Sequence, residues 1–224
     1  MKLKNNFLPV CLLFLLCGCA AKTPPPPPVT QAAVVEEAPL AIPKMRKLVA
    51  ILGFENKSSY ASDKLWDTSS QLLFSNLLER GYFRVVEWDK MKQLVEWDAL
   101  TTSTLVKSPQ KRGELRKILL CEYFLSGAVT FFDVRQTSQV SAIAKKKVFE
   151  TVIRVDLFLQ NAATGEYVAA GNGEGAERQE FSGTMSRGQL GVWDPRSADL
   201  ALNSAIQKAL NKLTRIYDRN GDNP

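Results

Sequence analysis

The apolar positions of this chain follow several different rhythms, and each predicts an element. Residues 7–16 form a nearly unbroken apolar run. Residues 23–43 then hold seven of the eleven prolines and show no periodicity. Residues 47–53, KLVAILG, are a short run with β-branched Val49 and Ile51, which predicts a buried strand. The polar stretch FENKSSYASDK follows as a loop. From Leu65 onward, Leu65, Leu72, Leu73 and Leu77 share one face of a helix, with Gly81 as its stop. YFRVVEW, residues 82–88, reads as a second strand. Asp89 suits the N-cap of a helix carrying Met91, Leu94 and Val95. Ser108-Pro109 opens another helix, with Leu115, Ile118 and Leu119 on its inner face.

The pattern then shifts to period two. EYFLSGAVTFFDVRQTSQVSAIA and KKVFETVIRVDLFLQNAATGEYVAAGNGEG are strand-rich. In the second, Val148, Thr151, Ile153, Val155, Leu157 and Leu159 nearly alternate, as in a half-buried antiparallel strand. Ala163-Thr164-Gly165 reads as a hairpin turn, and Lys145-Lys146-Lys147 as another solvated turn. Asp194-Pro195 is an N-cap and first-position signal for a last helix. Its stripe is Ala198, Leu202, Ala205, Ile206, Ala209, Leu213 and Ile216, spaced by threes and fours. The predicted fold class is α+β. It is a mostly antiparallel sheet flanked by helices, with one or two extended β-hairpins and a C-terminal amphipathic helix.

Composition narrows the chemistry. Lys and Arg number 29 against 23 Asp and Glu in 224 residues, a net +6 spread along the chain, which gives no nucleic-acid signature. There is no histidine, so the commonest general base and zinc ligand are missing. The four cysteines are Cys11, Cys17, Cys19 and Cys121, without a CxxC pair. Cys121 sits in KILLCEYFLSG and reads as a packed core residue. The glycine cluster GNGEG, residues 171–175, lacks the context of a phosphate loop and reads as a strand-end bulge or loop. The carboxylate pairs Glu87/Asp89 and Glu96/Asp98 flank predicted helix ends, where capping explains them. Trp66, Trp88, Trp97 and Trp193 read as core or interface residues. No enzyme, cofactor or metal site is expected.

The N-terminus carries a specific signal. Lys2 and Lys4 precede the apolar run, which is too short to span a bilayer. Leu16-Cys17-Gly18-Cys19 follows, with Leu at −3, small residues at −2 and −1, and cysteine at +1. This resembles the lipobox of bacterial lipoproteins, in which the cysteine thiol takes a diacylglycerol. Cys19 is therefore the expected lipidation site and first mature residue. Ala20 at +2, by resemblance to Gram-negative sorting rules, favours the outer membrane. A fully acylated terminus would hold permanently. The organisation expected is a signal peptide over 1–18, a lipidated proline-rich linker over 19–43, a folded domain over 44–218 and a tail over 219–224. As polyproline II the linker reaches at most ~65 Å, a stand-off between membrane and domain.

In their order, VAILGFENKS, LLERGYFRVVEWDKMKQLVE, CEYFLSGAVTFFD and VDLFLQNAATGEYVAAGNGEG resemble the CsgG family of curli-secretion lipoproteins and its relatives. The resemblance covers roughly residues 47–215. It implies a periplasmic α+β domain on an outer-membrane lipid anchor, a homo-oligomer, and a secreted or periplasmic protein partner. In the curli member, ring-forming subunits each give two amphipathic hairpins to a transmembrane barrel that exports unfolded subunits, and a loop after the first strand makes the constriction. The corresponding loop here has Tyr60 as its aromatic. A first candidate hairpin over 132–159 is long enough to span, with the three lysines at its tip. A second over 173–193, including AERQEFSGTMSRGQLGVW, is rich in charge and poor in large apolar residues. The other reading is a non-pore periplasmic adaptor, such as an activator of a penicillin-binding protein in peptidoglycan synthesis, for which the proline spacer is well suited.

Overall fold

A single twisted sheet organises the domain, in the order β2-β1-β3-β4-β5. This computed structural model describes residues 42–43, 45–60, 65–86, 108–140, 144–184 and 191–220. The described elements are β1 (Leu48–Asn56), α1 (Leu65–Arg80), β2 (Arg84–Val85), α2 (Pro109–Leu119), β3 (Tyr123–Val140), β4 (Ala144–Asn161), β5 (Tyr167–Thr184) and α3 (Arg196–Arg219). The expected signal peptide, Cys19, most of the linker, the helix around Met91, Leu94 and Val95, Trp88, Trp97 and both carboxylate pairs lie outside the described residues.

The sheet has two regimes. β1 runs parallel to both β2 and β3. β3, β4 and β5 are antiparallel, each 18 residues long, and form most of the sheet. The α+β architecture is therefore as the sequence predicts. The β2 strand is shorter than YFRVVEW suggests, because only Arg84 and Val85 pair with β1 among the described residues.

The helices end where local chemistry dictates. Gly81 has φ 62°, a left-handed conformation that closes α1 at little steric cost. Ser108 caps α2, its hydroxyl accepting from the Lys111 amide at 3.5 Å, with Pro109 in the first turn. Leu115 and Leu119 are buried as expected, but Ile118 is 56% exposed. It falls outside the narrow stripe that a helix with only two buried positions presents.

The core lies where α3 and α1 pack on the sheet. Val49, Ile51, Leu73, Leu77, Val129, Ile153, Val155, Leu157, Leu159, Leu202, Ile206, Leu210 and Leu213 are almost wholly buried within it. Fully burying side chains of this size contributes about 1.5–3 kcal/mol each. Tyr217 closes one end, meeting Tyr82, Phe83 and Tyr123 edge-on at centroid distances of 5.4–6.3 Å.

GNGEG is not a loop. Gly171, Gly173 and Gly175 are alternate residues inside β5, buried beneath α3. A Cβ on them would stand 2.1, 2.1 and 1.8 Å from the carbonyl oxygens of Ala209, Ala205 and Ala201. Period two on the strand meets period four on the helix, and both sides use the smallest residues available. The helix backbone thus lies directly on the strand.

Candidate interaction surface

The antiparallel strands continue past the start of α3 and project from the body of the domain. The junction is built from polar groups. Trp193 Nε1 donates to Thr151 Oγ1 at 3.0 Å, and Thr151 and Ser197 hydroxyls meet at 3.2 Å. Ser197 Oγ donates to the Asp194 carbonyl at 2.8 Å, so the Thr151 hydroxyl donates to Ser197. The Asp194 amide donates to Gln179 Oε1, and the Asp194 carboxylate accepts from the Arg196 amide, both at 3.0 Å. Asp194 therefore organises the first turn, as its position predicts, although the helix itself begins at Arg196, after Pro195. Thr151 and Ser197 are fully buried, so this network fixes the angle at which the helix leaves the sheet.

Beyond the junction the two faces of the projecting sheet differ. On the α3 side, Phe132 and Phe149 are buried, and Phe149 meets Phe181 edge-on at 6.1 Å. Gly191 packs on the Phe181 ring, where a Cβ would stand 2.2 Å from it. Level with these rings the face carries Gln136 and Gln179, and farther out Ser138, Val140, Lys145 and Lys147. Lys147 Nζ lies 4.7 Å from the Phe149 ring centre. The opposite face is a ladder of charge. Arg135 pairs with Asp133 at 2.7 Å, Lys146 with Glu180 at 2.7 Å, Arg178 with Glu180 at 3.5 Å and Arg154 with Glu174 at 2.7 Å. The hydrogen bond from Lys146 draws the Glu180 pKa down, and that from Arg135 to Asp133 draws the arginine's up. A shallow polar hollow of about 250 Å³ opens there, lined by Thr137, Gln139, Lys146, Val148, Glu150 and Arg178.

Two expectations about this region are corrected. Lys145, Lys146 and Lys147 lie in β4, paired with Val140, Gln139 and Ser138, and are not a turn or a hairpin tip. Extending each strand keeps their backbone groups in the ladder while the side chains alternate between faces. The second hairpin lacks a described returning strand, since residues 191–193 are not in the sheet. They fold back over Phe181 and Thr151 instead. Residues 185–190 lie outside the described set.

Tyr60 is placed at the root of this surface. Its ring stacks on Phe132 at a centroid distance of 4.0 Å and 12° between planes, and it stays 38% exposed. Asn56 shapes the loop by accepting from the Ser58 amide and hydroxyl and donating to the Tyr60 carbonyl at 2.6 Å. Cys121 is buried, and its pKa is pushed up from 9.0 to about 12, chiefly by burial. Among the described residues no group of three or more histidine, cysteine or acidic side chains is placed to hold a metal. No described helix is long and apolar enough to cross a membrane.

An α+β domain with a projecting antiparallel sheet is thus the class that the fold defines. A family model described as "Curli production assembly/transport component CsgG" matches residues 30–221, most of the chain. The chain belongs to the CsgG family. No curated protein matches it. Among solved structures, it is similar to lipoprotein GNA1162 from Neisseria meningitidis, at 12% identity and TM-score 0.42, covering 64% of this chain and 87% of that one. The LpoB C-terminal domain from Salmonella enterica gives 12% and 0.40, covering 59% and 86%. A PelC dodecamer from Paraburkholderia phytofirmans gives 17% and 0.39, covering 78% and 95%. Likenesses this distant carry no argument about function.

Proposed function

We propose that this CsgG-family chain is a lipid-anchored periplasmic component of outer-membrane secretion and assembly, which docks protein through its projecting sheet without spanning the bilayer. Cys19 is the anchor and the proline-rich linker the spacer in this reading. The observation that carries it is the character of the sheet's two faces. A spanning barrel strand needs one apolar face about 25 Å tall. The outer part of one face here mixes Val140 with Gln136, Ser138, Lys145, Lys147 and Gln179, and the other holds the ion-pair ladder. A lysine facing lipid costs ~2–4 kcal/mol at the midplane and less toward the interfaces, and this face carries two.

One observation favours an export channel. Each of β3, β4 and β5 has 18 residues, about 60 Å of strand, which exceeds a spanning strand although the inner half is packed beneath α3. The two readings separate in a planar bilayer. The acylated protein, reconstituted from detergent, is expected to give no stepwise conductance. A cysteine at Gln136 should react with a membrane-impermeant maleimide in proteoliposomes. Discrete conductance steps together with protection of that cysteine would establish the channel instead.

A further inference from the structure

β5 is the outer strand of the sheet, so among the described residues one side of its backbone has no neighbouring strand. The parity of the ladder shows which residues face outward. The Arg154 carbonyl points to β3, where it accepts from Thr130 Oγ1 at 3.5 Å. Arg154 pairs with Glu174 across β4 and β5, so this is a non-hydrogen-bonded pair and the Glu174 peptide groups face the open edge. Lys208 Nζ confirms the direction by donating to the Glu174 carbonyl at 2.8 Å. The β4–β5 register runs without a shift from there to Thr184. Ala176, Arg178, Glu180 and Ser182 must therefore also present their N–H and C=O groups outward, and all are exposed.

The edge is managed in one half only. Lysines 208 and 212 of α3 reach Glu174 and Asn172, closing the inner half as charged side chains commonly do. No hydrogen bond of α3 reaches residues 176–182 in this way among the described residues. The midpoint of this segment is Gln179. An antiparallel copy centred there sets Ala176 opposite Ser182 and Arg178 opposite Glu180, each pair occurring twice. Opposite charges then face one another across hydrogen-bonded pairs, and small residues meet at both ends. Slipping the register by two residues, to a centre at Gln179 plus or minus one, sets Glu180 against itself or Arg178 against itself.

We propose that residues 176–182 of β5 pair antiparallel with the same edge of a second copy, about a two-fold axis at Gln179. This joins two projecting sheets into one, and Lys208 marks where the pairing stops. The inference rests on reading the projecting sheet as a docking element outside the bilayer. It deepens that reading by naming a partner and a register.

The test uses the full-length acylated protein in detergent, with its mass measured by light scattering over a concentration series. A reversible dimer is expected. Arg178→Glu should weaken it about tenfold, because like charges then face across both copies of the pair. Mixing Arg178→Glu with Glu180→Arg chains should restore it, since each sign again meets its opposite. Ala176→Pro should abolish pairing with the circular dichroism unchanged, because the N–H it removes faces outward. Gln179→Cys should form a disulfide with itself under mild oxidation, whereas Glu177→Cys alone should not. This readout stands even if a charge variant folds poorly. A monomer at every concentration, an oligomer indifferent to Ala176→Pro, or the absence of the Gln179→Cys crosslink would overturn the pairing. Loss of association by Ala176→Pro without rescue in the charge mixture would assign the edge to a different strand, and so would also overturn it. None of these results bears on spanning. Bilayer conductance alone would remove the docking reading itself.

Discussion

At the scale of single residues, burial sets the behaviour of the titratable groups. Cys121 keeps its proton to about pH 12, chiefly because burial disfavours the thiolate. The Tyr82 pKa is also raised, first by burial and then by the hydrogen bond its hydroxyl donates to the Asp218 carboxylate. Both shifts act in one direction. Below pH 9 neither group distinguishes the folded from the unfolded chain. Above it the unfolded chain releases a thiol proton that the folded chain retains, and above about 10 a phenol proton as well, so stability falls with rising pH. Urea midpoints between pH 8 and 11 are expected to decline from pH 9. In Cys121→Ala the decline should begin later, near pH 10. An onset that does not move would refute the role of Cys121. Thr151 supplies a second residue-scale test. Thr151→Val strands the Trp193 N–H and removes the donor to Ser197, a cost of about 1–3 kcal/mol readable in Trp193 fluorescence during unfolding.

At the scale of elements, the contact between α3 and β5 is the least forgiving in the domain. The atoms nearest each absent Cβ are mostly helix backbone, so there is no flexible atom to move aside. Gly173→Ala places a Cβ 2.1 Å from the Ala205 carbonyl oxygen and should destabilise the protein by roughly 3 kcal/mol or more. Ala205→Gly, which only removes a methyl from a helix, should cost about 1 kcal/mol by propensity plus a small loss of packing. Equal effects of the two substitutions in urea denaturation would mean that α3 does not lie on the strand as described. Of the three long strands, β4 has the most support, because it is paired on both sides. It is flanked by β3 and β5 from Lys145 to Gln160, which lets lysines 145–147 continue a strand that their solubility alone would end.

At the scale of the whole molecule, the CsgG-family domain and the proposed anchor divide the work. Acyl chains would supply membrane affinity, so the folded domain needs no apolar surface of its own for attachment. Its projecting sheet can then be polar on the outside and serve protein contacts. Cys19→Ser is the corresponding test. The variant is expected to fold as the wild type does and to appear in the soluble periplasmic fraction. Retention in the outer-membrane fraction at the wild-type level would show that the anchor lies elsewhere or that the sheet itself enters the membrane.

The sequence by itself determined the elements whose signals are local. Leu65, Leu73 and Leu77 marked α1, Gly81 its end, Ser108-Pro109 the start of α2, and the three-four spacing from Ala198 to Ile216 the C-terminal helix. The alternation through Ile153, Val155, Leu157 and Leu159 gave the core face of β4, because side chains along a strand must alternate between faces whatever the neighbours are. The Cys19 motif is likewise a pattern of neighbours along the chain, and the anchor it implies is a proposal that Cys19→Ser tests. Only the tertiary structure decided the roles that depend on a partner element. GNGEG looked like a loop because glycine is a poor strand former, and its meaning appears only when Ala201, Ala205 and Ala209 are set against it. The charge of residues 173–193 is plain in the sequence, but that Arg178 and Glu180 lie on the outer described strand, facing away from α3, follows only from the sheet order and register. Ile118 looked inward because a helical face is defined by what packs on it. Local propensity is written in neighbours along the chain, whereas packing, edges and faces belong to residues brought together from far apart in it.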